Sequence, residues 1–320
     1  MALPSSGSIS LSQVNTELGL SATAQISMNS SNVRTLFGKA SGAISMADGR
    51  GKSNAFQFNP TISANTTNYN LKSAAIAAGW DQVQPLNATV TVNSGVYVGS
   101  TSTGSYGFDT GASFPAGTTL TLINNGFIVG MGGSGGRGGE SNVNGDYLVY
   151  AGGSGGPALR AQAAISITNN GTIGGGGGGG GGGAIGIYQD YSNPEYTYFV
   201  SCPGGGGGGG RGLNSVSGGA RGTQPHPSYT TTILGSDGGS GSSTSAGGGG
   251  AGGYNSGSQY GGSGGNGGGL GSSGGGGGSP ASGSGFIYTY GGSAGGAGAA
   301  VAGNSNITWV ATGTRLGAIA

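Results

Sequence analysis

Hydrophobic positions follow different rules in successive parts of this chain. In residues 1–54, Leu11, Val14 and Leu18, then Val33, Leu36 and Phe37, recur at the spacing of one helix face. The pattern predicts two short helices, Gln13–Leu18 capped by Ser12 and Asn32–Phe37 capped by Ser31, stopped by Gly19 and Gly38. Ser45 opens one further turn before Asp48-Gly49. Two such faces make a very small core. The segment therefore reads either as a docking module that completes its core on a partner through Val14, Leu18, Val33, Leu36 and Phe37, or as one packed on its own chain.

Residues 55–129 change character. Asn70–Ala78 predicts a helix ended by Gly79. Ala88–Val92 then alternates as a strand does, Val96–Val98 follows Asn93-Ser94-Gly95, and the turn Phe114–Gly117 precedes a strand at Thr118–Ile123. This is a small β-rich domain. Its last strand belongs to an internal repeat: Leu120–Ile128 and Ile165–Ile173 each read as a strand, Asn-Asn-Gly and an isoleucine, feeding directly into glycines. Asn-Gly predicts a turn with positive φ at both places. Residues 304–320 contain a third strand of this kind, Asn306–Val310, which closes the chain.

Between 130 and 303 the alternation gives way to glycine, including ten in a row at Gly174–Gly183 and seven at Gly204–Gly210. Ten tracts can be drawn, numbered one to ten in chain order: 130–139, 151–156, 174–183, 203–212, 217–223, 235–241, 245–253, 261–269, 274–279 and 291–303. Their interruptions alternate between an aromatic kind (140–150, 184–202, 224–234, 254–260, 280–290) and a plain kind (157–173, 213–216, 242–244, 270–273). If the chain reverses at each interruption, every aromatic loop falls at one end. Eleven of the 14 tyrosines lie in those five loops and none in a plain turn.

Composition decides how the tracts behave. Glycine supplies 83 of 320 residues, yet charged residues are only 6% and the net charge is +1, so the charge that keeps a disordered chain solvated is missing. The predicted alternative is a bundle, or sandwich, of about ten polyglycine II helices with three residues per turn and a rise of roughly 3.1 Å. Without Cβ atoms, neighbouring helices approach until backbone N–H and C=O groups pair between them. The expected fold is thus mostly irregular and β: a short helical module (1–54), a β-rich domain (55–129), the polyglycine bundle (130–303) and a closing strand (304–320).

Chemistry is poorly supplied. Scattered lysines and arginines argue against nucleic-acid partners, and the longest apolar runs are too short for membrane insertion. The first residues, MALPSSGSIS, lack the charged and apolar regions of a secretory signal. His226 sits between prolines in a rigid turn, Cys202 adjoins Pro203 at a tract entrance, and Asp146, Asp190 and Glu195 lie scattered in the loops. Gly51-Lys52-Ser53 lacks the first glycine of a P-loop. A non-enzymatic protein with no cofactor and no metal is expected.

The entrance Asn169–Ile173, the tracts 174–183 and 204–210, the aromatic loops and the closing Gly313–Gly317 resemble the glycine-rich adhesins at the distal tips of T-even-type bacteriophage long tail fibres. Residues 1–54, with Val33–Gly38 and Gly42–Met46, look more like a module at the start of assorted phage tail proteins. The resemblance implies a virion component made in the host cytoplasm. It would dock on other tail or fibre proteins through its N-terminal region and bind a bacterial outer-surface receptor, an outer-membrane protein or a glycan. The contact residues would be the loop aromatics Tyr147, Tyr150, Tyr188, Tyr191, Tyr196, Tyr198, Phe199, Tyr229, Tyr254, Tyr260, Phe286, Tyr288 and Tyr290, because tyrosine offers broad amphipathic contact at low entropy cost. A structural tail component without receptor contact is the alternative. An ice-binding bundle would need a flat threonine face, which the Ser, Asn and Arg interruptions do not supply.

Overall fold

In the computed structural model, which describes residues 2–141, 147–190, 198–223, 234–255, 259–281, 286–287 and 290–320, the strands outside the aromatic loops pair in parallel. Three sheets result, and the chain visits them in rotation. On face A, Phe56–Phe58 and Thr61–Ile62 pair with Leu86–Val92, followed by Thr119–Asn124, Ile165–Asn169 and Ile307–Ala311. Face B stacks Thr66–Thr67, Tyr97–Gly99, Phe127–Val129, Thr172–Gly174 and Thr314–Leu316. Face C stacks Tyr69–Asn70, Phe108–Asp109, Leu159–Arg160 and Val301–Ala302. The molecule is built on a three-faced parallel β-solenoid whose rungs draw on segments on both sides of the glycine region.

Alternation explains its interior. Leu86–Val92 buries every second residue completely, so Val90 stacks under Leu122 and Leu122 under Ile167. Val98, Ile128 and Ile173 form the inner ladder of face B, and Phe108, Leu159 and Val301 that of face C. Each such side chain contributes about 1.5–3 kcal/mol by leaving water. Helix α3 (Leu71–Ala77), started by the Asn70 side chain and followed by Gly79 at φ +101°, adds Leu71, Ala75 and Trp80 to the same core. In the last rung the inward position after Ile173 is Arg315, whose guanidinium lies 4.8 Å from the Trp309 ring centroid and covers the end of the apolar stack.

The two Asn-Asn-Gly repeats sit at equivalent corners between faces A and B, with Asn124 and Asn169 in register. Neither Asn125-Gly126 nor Asn170-Gly171 has positive φ, contrary to the turn their sequence suggests. The chain bends there between two parallel sheets instead of reversing, so no left-handed residue is needed.

The glycine region leaves the solenoid at the corner between faces B and C. A short loop, Ser100–Gly107, occupies that corner in the second rung; residues 130–158 occupy it in the third and 175–300 in the fourth. The tracts bond to one another with a three-residue period. Gly130, Gly133, Gly136 and Gly139 donate to the carbonyls of Gly174, Gly177, Gly180 and Gly183 at 2.7–2.9 Å, so the first and third tracts run parallel. Gly176, Gly179 and Gly182 donate to Gly156, Gly153 and Tyr150, so the third runs antiparallel to the second. Followed through all ten tracts, these ladders reverse direction at every interruption.

The third and fourth tracts each bond to six neighbours, and the other eight form a ring around them. Every N–H from Gly175 to Ala184 donates and every C=O from Gly174 to Ala184 accepts. The two central tracts hold the two longest glycine runs, and the reason is steric. A Cβ on Gly178 would strike the carbonyl of Gly295, and one on Gly180 that of Gly265. Ring tracts have a solvent side where a side chain fits, and several carry one there at every third position, as in Met131, Ser134 and Arg137.

Residues 2–54 fold on themselves. Helix α1 (Leu11–Glu17) starts earlier than expected: Ser10, not Ser12, is the cap, with Gln13 N–H 3.3 Å from Ser10 Oγ and Ser10 N–H 2.8 Å from Gln13 Oε1. Helix α2 (Ser31–Phe37) likewise begins after Ser30, so Ser31 is its first residue; Gly38 ends it in the left-handed conformation. Val14, Val33, Leu36 and Phe37 are buried with Leu3, and Leu18 packs against them. Of the two readings of this segment, docking on a partner through Val14, Leu18, Val33, Leu36 and Phe37 or packing within its own chain, the burial of these side chains fits the second. Three short segments converging on one point proved enough to bury them.

Candidate functional site

The plain turns 213–216 and 270–273 lie against the solenoid, and the described parts of the aromatic loops lie at the other end of the tracts. On the solenoid side, a Cβ on Gly99 would meet the Leu213 side chain, one on Gly174 that of Leu270, and one on Gly271 the backbone of Leu316. Ser215–Ser217 share a cleft with Thr101–Thr103. At the loop end, two polar hubs hold the described parts of the loops.

The first hub is Tyr188. Gly186–Asp190 and Tyr198–Cys202 form a hairpin within the second loop, and Gly186–Asp190 also pairs with Phe286–Ile287 of the fifth. Tyr188 is fully buried. Its hydroxyl lies 2.8 Å from the Ala281 carbonyl and 3.0 Å from that of Tyr260, and accepts the Tyr260 N–H at 3.0 Å. Burial pushes the phenol pKa up, against the lowering effect of the Tyr260 N–H, so the hydroxyl stays a donor at neutral pH. Cys202, also buried, lies beside it with its Sγ 3.6 Å from the Gln259 carbonyl. Tyr188 thus departs from the expectation of a surface contact: it is interior because three backbone polar groups and one ring all need its position.

The second hub is Glu140, at the start of the first loop. It accepts from Arg137 at 2.6 Å, from the Tyr150 hydroxyl at 3.0 Å and from the Thr223 hydroxyl at 2.6 Å, joining the first loop to the start of the third. Burial and then the bond to Glu140 raise the Tyr150 pKa. Neither Arg137 nor Glu140 figured among the residues expected at the site. The signal available was two opposite charges three residues apart, in a chain with almost none.

Beside these hubs the described residues expose a group of tyrosines. Tyr254–Asn255 pairs antiparallel with Gln259–Tyr260, setting the Tyr254 and Tyr260 rings 6.0 Å apart, each 43% exposed. Leu234, Ser236, Ser263, Ser279 and Ala281 line one shallow groove with them. Tyr290 is 78% exposed and Tyr147 40%. Tyr198, Phe199 and Phe286 are placed by their strands. Tyr191, Tyr196, Tyr229 and Tyr288, and with them His226, Asp146 and Glu195, lie outside the described residues. Among the described residues no three His, Cys, Asp or Glu side chains come together as metal ligands. No described helix is long and apolar enough to cross a membrane.

The described residues form a parallel β-solenoid carrying a hydrogen-bonded glycine bundle, with Tyr147, Tyr254, Tyr260 and Tyr290 exposed on its loops. This architecture, without a catalytic cluster among the described residues, is matched by the adhesin class. The chain belongs to the phage tail fibre adhesin Gp38 family, which matches residues 57–320 and leaves the helical module outside. It is a bacteriophage receptor-binding adhesin. The gp37-gp38 adhesin tip complex of the bacteriophage S16 long tail fiber is similar at 21% identity, over 90% of this chain and 91% of that one, with a TM-score of 0.48. No protein with a curated description matches the chain.

Proposed function

We propose that the aromatic loop end is the receptor-contacting surface and that the glycine tracts are polyglycine II helices acting as its rigid support. The observation that carries the first part is the reversal of direction at every interruption, which gathers the tyrosine-bearing loops at one end. The three-residue bonding period, the six neighbours of each central tract and the negative φ of a polyproline II helix support the second. A ten-residue tract of that kind spans about 31 Å, which sets the loops well clear of the solenoid.

Attachment to other tail or fibre proteins, and so a place at the tail-fibre tip of the virion, is assigned to the N-terminal region. Its contact residues cannot be the buried Val14, Val33, Leu36 and Phe37. Leu11 and Leu20, 45% and 40% exposed, are the apolar groups the module leaves on its surface. No catalytic role is assigned.

The test uses the full-length protein carrying Tyr254→Ala, Tyr260→Ala and Tyr290→Ala together. Truncating well-placed contact aromatics costs about 1–2 kcal/mol each, so binding to susceptible cells should weaken at least about tenfold. Undiminished binding would favour a structural component without receptor contact.

A further inference from the structure

We infer that Tyr188 is a positioning residue that ties the loops 184–202, 254–260 and 280–290 into one recognition unit; this rests on the reading of the loop end as the receptor-contacting surface. Tyr188 belongs to the second loop, yet its hydroxyl serves the backbone of Tyr260 in the fourth and of Ala281 at the start of the fifth. The same strand that carries Tyr188 pairs with Phe286–Ile287, so the fifth loop is held at two points. Tyr254 and Tyr260 face each other across a hairpin whose second strand ends on the residue Tyr188 grips. A buried hydroxyl whose single proton lies between the Tyr260 and Ala281 carbonyls, and whose oxygen accepts the Tyr260 N–H, sets the spacing of the two segments at the loop end. Losing it removes the hydrogen bonds to Tyr260 and Ala281 while the ring still fills its place. The unit should therefore respond as a whole: shifting Tyr260 moves both tyrosines of the pair and the groove they share with Ala281.

The experiment is Tyr188→Phe in the full-length adhesin, compared with Tyr254→Ala/Tyr260→Ala, with binding to susceptible cells and amide hydrogen exchange measured on each. Tyr188→Phe is expected to weaken binding about tenfold, the cost of losing its hydrogen bonds to the two loops. It should accelerate exchange at the Tyr260 amide while exchange along Gly175–Ala184 stays at the parent rate. Parent-like binding by Tyr188→Phe, with binding lost in the Tyr254→Ala/Tyr260→Ala protein, would overturn the positioning role and leave the receptor surface standing. Faster exchange along Gly175–Ala184 would also overturn it, because Tyr188 would then be a support of the bundle. Parent-like binding by both proteins would overturn the receptor surface itself, and this inference with it.

Discussion

Asn124 donates its side-chain amide to Asn169 Oδ1 at 2.7 Å, one rung to the next, and Asn169 donates in turn to the Thr312 and Thr314 carbonyls. Both side chains are buried. The ladder joins three rungs at the corner through which the chain passes just before each departure into glycine. Gly130 and Gly175 begin their tracts a few residues beyond it, so the ladder fixes where the first and third tracts start.

Asn169→Ala should accordingly destabilise more than an ordinary surface change. It strands the Asn124 amide and the carbonyls it served, at a cost of about 1–3 kcal/mol. Thermal unfolding should show a clear fall in Tm, and Asn170→Ala, which removes an exposed side chain bonded to Asn125, should show much less. Equal effects would mean that the ladder carries no special weight.

Within the bundle, cost should follow position in the lattice. Gly180→Ala forces a methyl group onto the Gly265 carbonyl, whereas the nearest atom to a Cβ on Gly296 is Ser154 Oγ at 3.7 Å. Overpacking costs roughly 1–3 kcal/mol or more, while an alanine in a compatible conformation can add about 0.4–1 kcal/mol by restricting the unfolded chain. Gly180→Ala should lower Tm and Gly296→Ala should leave it unchanged or raise it.

Much of this arrangement is legible in the sequence, and the part that is not has a physical cause. Alternating plain and aromatic interruptions reveal the direction of each tract, because a chain of fixed length must turn back and the tyrosines mark one end. The strands at 88–92, 118–123 and 165–169 follow from alternation. Their arrangement in three sheets does not, because a two-residue strand such as Leu159–Arg160 carries no period of its own. It pairs with Val301–Ala302, which follows it by more than a hundred residues. The third-residue pattern Met131, Ser134, Arg137 did distinguish ring tracts from central ones, but it is short in each tract and hidden by the overall glycine content. Tyr188 looks like its neighbours in sequence; only the carbonyls brought to it from two other loops make it interior.

Acid should weaken the outer side of face C. Arg160 bonds to Asp109 at 2.6 Å and Gln162 to the same carboxylate at 2.9 Å, while the Arg160 guanidinium stacks 4.6 Å from the Tyr106 ring centroid. Burial alone would raise the Asp109 pKa, but the Arg160, Gly111 and Gln162 bonds outweigh it and hold it below the usual range. A depressed carboxylate stabilises the fold above its unfolded value, about 3.9. That contribution is lost as pH falls through the lower folded value. The Tm difference between the parent and Asp109→Asn should therefore be constant from pH 7 to about 5 and shrink below about 4. A difference independent of pH would show that the pair is not what stabilises the corner.

Removing the cover over the last rung should have a smaller effect. Arg315→Ala deletes the guanidinium above Trp309, an interaction worth about 0.5–2 kcal/mol. Chemical denaturation should show the loss, and Arg315→Lys should recover only part of it, since ammonium lacks the planar face that stacks on indole.

The claim that the loop end meets the host is tested most directly by hydroxyl-radical footprinting of the adhesin bound to susceptible cell envelopes. Protection should appear at Tyr147, Tyr254, Tyr260 and Tyr290, with Leu11, Leu20 and Val310 labelled as in the free protein. Protection confined to Leu11, Leu20 or Val310, with the four tyrosines still reactive, would contradict it.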